Sequence, residues 1–65
     1  MYNDLLNKRV EIISGEYKGK FGTIIEVIDP ESKFSPFGFR VQLEEGIKVF
    51  LLTEFRLVNG YMLIG

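Results

Sequence analysis

The sequence predicts an all-β fold, on three observations. No segment sustains a helical period, turn residues interrupt the chain every several residues, and the stretches between them are short and rich in β-branched and aromatic side chains. With 65 residues, 46% of them hydrophobic, the chain has room for one modest core, so a single domain over residues 1–65 is expected.

The first strand is read at "KRVEII", 8–13, where Val10 and Ile12 share one face and Arg9 and Glu11 the other. The second, "FGTIIEVID", 21–29, is strongly β-forming, yet Ile24, Ile25, Val27 and Ile28 do not keep one parity. A bulge near Ile25 and Glu26 resolves this, because one extra residue resets the inward face and leaves both Ile24 and Val27 pointing to the core. The segment 30–37, "PESKFSPF", holds both prolines and reads as a long surface loop in which Phe34, Phe37 or both lid an open end of the core.

The clearest hairpin is "FRVQLEEGIKVFLL", 39–52. A two-residue loop at Glu45-Gly46 would oppose Leu43 to Lys48 and mix polar with apolar side chains on each face. A three-residue loop, Glu44-Glu45-Gly46, instead opposes Leu43 to Ile47, Val41 to Val49 and Phe39 to Leu51, with Gly46 supplying the positive φ such a loop needs. That register is the expected one. It places Phe50 on the outer face opposite Arg40, whose guanidinium would lie over the ring.

Leu52 and Phe55, three apart, predict one 3₁₀ turn before a last short strand. Asn59-Gly60 then forms a turn dipeptide, with Tyr61 to Ile64 as an extra edge strand or packing tail. Five short strands, a long loop after the second and a 3₁₀ turn before the fifth make the plan of a small five-stranded SH3-like barrel.

Residue inventory excludes much. The chain has no cysteine and no histidine, hence no disulfide, thiolate nucleophile or imidazole metal site, and nothing that titrates near neutrality unperturbed. No paired carboxylates flank an evident pocket, so no enzyme, no metal and no cofactor are expected. There is no apolar run long enough for a signal peptide or membrane span, which makes a cytoplasmic protein without a membrane partner the expectation. A net charge of −1 weighs against affinity built on many phosphate contacts. A nucleotide P-loop fails on spacing, on the missing Ser or Thr after the lysine, and on the strand that follows.

The run "KRVEIISGEYKGKFGTIIEVI", 8–28, resembles the KOW motif of bacterial NusG, eukaryotic and archaeal Spt5 and ribosomal proteins. The matching positions are Val10 and Ile12 on the first strand, Gly15 opening the loop, Lys18, Gly19 and Lys20 within it, Gly22 at the characteristic glycine, and Ile24 and Val27 beyond. The resemblance implies a noncatalytic domain that touches RNA, a ribosome or RNA polymerase, and so a role in transcription or translation. A second resemblance, to an SH3-like subunit of photosystem I, rests on length and the strand-to-3₁₀ ending; the "GEYKGKFG" loop fits KOW better.

Two functions from different classes follow. In the first, the 15–22 loop contacts RNA or a component of the transcription or translation apparatus. Lys18 and Lys20 supply phosphate contacts, Tyr17 a stacking surface, and Arg9, Arg40 and Lys48 further positive charge. Gly15, Gly19, Gly22 and Gly46 serve backbone geometry. In the second, the fold is a protein-interaction or assembly module that uses the aromatics Phe34, Phe37 and Phe50 and binds no nucleic acid. Nothing in the sequence fixes an oligomeric state.

Overall fold

The computed structural model describes residues 3–58, so the expectation for Tyr61 to Ile64 lies outside the described residues. A 3₁₀ turn at Asn3–Leu5 leads into β1 (Arg9–Ile12), β2 (Phe21–Ile28), β3 (Gly38–Leu43) and β4 (Gly46–Leu51); a second 3₁₀ turn at Leu52–Glu54 precedes β5 (Phe55–Leu57). The strands form one antiparallel sheet in the order β4-β3-β2-β1-β5. The all-β, five-stranded SH3-like expectation holds, including the 3₁₀ turn before the last strand.

The sheet is strongly coiled. Strands lie roughly 4.8 Å apart, so β3 and β5, three positions apart, would be about 14 Å from each other in a flat sheet. Yet the rings of Phe39 on β3 and Phe55 on β5 meet edge to face with centroids 5.3 Å apart. The inner face therefore closes on itself around Val10, Ile12, Ile24, Phe39, Val41, Leu43, Phe50 and Phe55, all buried. Removing each such large apolar side chain from water contributes about 1.5–3 kcal/mol.

Coiling begins at the predicted bulge. Ile24 pairs with Val41 but Glu26 pairs with Arg40, leaving Ile25 without a partner across the ladder and half exposed. Ile24 is fully buried and Val27 packs against the core, so the inward face moves by one residue as its sequence pattern requires. The seam between β4 and β5 is spanned by the second 3₁₀ turn, whose start is held by the Leu51 N–H donating to Glu54 Oε1 at 2.8 Å. The Ile13 N–H donates to the Glu54 carbonyl at 2.9 Å and ties that turn to the end of β1.

The β3–β4 hairpin corrects the expected register. Leu43 pairs with Gly46 across a two-residue loop, Glu44-Glu45, and the ladder runs Gln42 to Ile47, Val41 to Lys48, Arg40 to Val49 and Phe39 to Phe50. Gly46 takes φ 139°, and neither loop glutamate has a positive φ. Phe50 is consequently inside, only 7% exposed, whereas Ile47 and Val49 face out at 47% and 52%. Counting apolar alternation within the hairpin favoured the wrong strand face because it ignored what lies across the core. An inward Phe50 offers more area than a valine and meets the Tyr17 ring edge to face at 6.2 Å. Arg40, expected over Phe50, instead donates from Nε to Glu26 Oε1 at 2.9 Å.

In the long loop, the Phe34 N–H donates to Ser32 Oγ at 3.2 Å and the Ser35 N–H to the Ser32 carbonyl at 3.1 Å. Phe37 packs against the core as a lid. Phe34 does not: it is 88% exposed, its ring 5.8 Å from the Lys33 ammonium.

Candidate functional site

The β1–β2 loop is closed at its neck and turned twice within. The Ile12 N–H donates to the Lys20 carbonyl and the Gly19 N–H to the Ile12 carbonyl, both at 2.8 Å. Inside, Lys18 N–H donates to the Gly15 carbonyl at 3.2 Å and Lys20 N–H to the Tyr17 carbonyl at 2.9 Å. Gly15 at φ 82° and Gly19 at φ 92° take the left-handed conformations these turns need. Gly22 answers a different demand. A Cβ there would lie 2.6 Å from both the Gln42 carbonyl oxygen and Val41 Cγ1, so β2 can approach β3 only without one.

The loop distributes its side chains unequally. Tyr17 turns inward against Phe50, and the Lys48 ammonium sits 5.7 Å from the Tyr17 ring centre. Lys20 Nζ lies 3.0 Å from Glu45 Oε2 at the β3–β4 turn. This hydrogen bond raises the Lys20 pKa and holds the Glu45 carboxyl below the usual glutamate range, with the opposite charge of each partner adding to the effect. Lys18 is exposed and has neither an ion pair nor a ring contact among the described residues.

Beside the loop, on the outer face of the sheet, Arg9 and Thr23 are cross-strand partners, as are Thr23 and Gln42. Together with Lys20 and Phe21 they line an open cleft of about 480 Å³ that ends at Glu44 and Glu45. The Arg9 guanidinium carbon is 5.7 Å from the centre of the Phe21 ring. Of the six candidate contact residues, Arg9 and Lys20 thus share a cleft, Tyr17 and Lys48 form a second group, Arg40 is paired with Glu26, and Lys18 stands alone. The Phe21, Thr23 and Gln42 side chains were not anticipated. Their signal was parity: if Ile24 faces in, Phe21 and Thr23 face out.

The family model of the KOW motif matches residues 6–44. The chain belongs to the KOW-motif family. Comparison with curated proteins and with solved structures gave no match. The KOW match spans β1, the glycine loop, β2 and β3, so the loop and all of the cleft lining except Glu45 fall within it. Membership of the KOW family makes this chain a small binding module by class. Among the described residues no cluster of acidic side chains could hold a metal ion, and no helix is long and apolar enough to cross a membrane.

Proposed function

We propose that this KOW domain is a noncatalytic cytoplasmic module, one folded unit over the whole chain, that contacts RNA through the 15–22 loop, free or within the transcription or translation machinery. The observation that carries this reading is the state of Lys18: a cation with no ion pair among the described residues, on a loop whose turns and neck are fixed by backbone hydrogen bonds. A phosphate can replace its water without breaking an ion pair, and little loop entropy is lost on binding. Lys20 contributes less, since contact there competes with Glu45.

Binding of short single-stranded RNA should weaken with salt and fall on Lys18→Glu combined with Lys20→Glu while the fold survives. With few phosphate contacts the slope of log affinity against log salt should be shallow, about −1 to −2. Salt-independent binding, or binding that ignores both substitutions, would count against the reading.

A second reading, a protein-interaction module without nucleic acid, is favoured by a different observation. Ile47, Val49 and Leu51 form an exposed apolar row on the outer face of β4, an edge strand of the sheet among the described residues. The row runs into an apolar hollow of about 390 Å³ lined by Pro36, Phe37, Leu51 and Leu52. Of the aromatics first considered for this role, Phe34 is available at the surface and Phe50 is not. A backbone amide titration separates the two readings: with RNA at high concentration, unchanged shifts from Tyr17 to Phe21 would put the protein partner ahead.

A further inference from the structure

We propose that the outer-face cleft beside the loop is a subsite for one unstacked nucleobase bearing an exocyclic amine, that is cytosine, adenine or guanine in preference to uracil. This rests on the reading that the chain binds RNA and names which part of the strand is read and where.

The cleft has the volume of a small-ligand site, and its lining combines three things a base requires. The first is an aromatic face. Phe21 is half exposed at the start of β2, on a strand whose inward neighbour Gly22 is locked against β3, so the ring is presented by rigid backbone rather than by the loop. Bases stack on such rings whatever their sequence.

The second is a cation free to meet the phosphate next to the stacked base. Two of the neighbouring carboxylates are already engaged: Arg56 Nε donates to Glu11 Oε1 at 2.8 Å, and Glu45 holds Lys20 at 3.0 Å. Arg9 has no carboxylate partner among the described residues and reaches over the Phe21 ring at 5.7 Å.

The third is an acceptor, the Glu44 carboxylate, which sets the preference among bases. Gln42 spends one amide N–H on the Leu43 carbonyl at 3.0 Å and keeps its second N–H and its side-chain oxygen, so it can meet either a donor or an acceptor. Glu44, at the rim, has no ion pair among the described residues. A carboxylate wants a donor, and the exocyclic amines of cytosine, adenine and guanine supply one where uracil carries a carbonyl oxygen instead. A cationic protein side chain would also satisfy the Glu44 carboxylate, but the Arg9 charge over the Phe21 ring opposes it. An uncharged aromatic side chain would leave that carboxylate unpaired.

The test is a chemical-shift titration of the full chain with hexanucleotides of cytidine, adenosine and uridine. The cytidine and adenosine strands should perturb Phe21, Thr23 and Gln42 and bind about tenfold more tightly than the uridine strand. Phe21→Leu should weaken the preferred strands about tenfold, Phe21→Tyr should restore them, and Glu44→Ala should narrow the gap to uridine. Retained amide spectra keep these variants interpretable. If RNA shifts the Lys18 region but leaves Phe21 and Thr23 unmoved, or if uridine binds as well as cytidine, the subsite is overturned and loop binding stands. If no strand binds, the RNA reading and the subsite fall together.

Discussion

Gly22 has the least freedom to change of any loop or strand glycine described. An added Cβ would meet backbone and a branched side chain at once, neither of which can swing away. Gly22→Ala is expected to destabilise the domain by about 2–3 kcal/mol, seen as a lower denaturation midpoint. Phe50→Ala should cost more, about 3–5 kcal/mol, since it empties the space between Phe39 and Tyr17; a loss below 1 kcal/mol would mean the ring lies at the surface. The Lys20–Glu45 pair sets a pH window. The lowered Glu45 pKa means its contribution is present above the ordinary value of 4.5 and lost as pH falls through the lowered one. The raised Lys20 pKa means the contribution persists below 10.5 and is lost only as pH climbs past the raised value. The pair should therefore hold across the neutral range, and a carboxyl NMR titration should place the Glu45 midpoint below 4.5.

At the scale of elements, β4 is the exposed liability. Its outer row, Ile47, Val49 and Leu51, carries no charge, although edge strands in soluble proteins are usually guarded by one. Val49→Lys should change stability by no more than about 0.5 kcal/mol, because the side chain is half in water already, while abolishing binding of any partner that docks on this row. Sedimentation or a pull-down compared with the parent chain would show it. The hairpin also marks where sequence reading stopped. Parity along β1, the bulge at Ile25, the 3₁₀ turn after β4 and the glycine loop were legible because each is a local pattern. The β3–β4 register was not: both Phe50 and the Ile47–Val49 pair could face in, and the choice was made by Tyr17 and Phe39, more than ten residues away in sequence. The cleft escaped for the same reason, since Arg9, Phe21 and Gln42 meet only once three strands are paired. Asn7, at φ 68° with its N–H donating to the Ile24 carbonyl at 2.7 Å, gave no local sign of its left-handed backbone.

For the molecule as a whole, three of the eight cations are paired with a glutamate among the described residues. Lys20, Arg40 and Arg56 are each neutralised by a glutamate, in keeping with a net charge of −1 despite the lysines of the 15–22 loop. With a net charge of −1, the proposed contact through the cations outside those pairs, Lys18 and Arg9 foremost, should be local rather than a broad electrostatic attraction. The bulge at Ile25 carries one last implication. Deleting that single residue would restore strict alternation along β2, with Ile24 and Val27 inward and Glu26 outward still. A one-codon loss here would thus preserve the hydrophobic code of the strand while removing the bend that lets the sheet wrap. The shortened chain would spell the same core and enclose it less well, separating two kinds of information, which residues are buried and how tightly the wall curves around them.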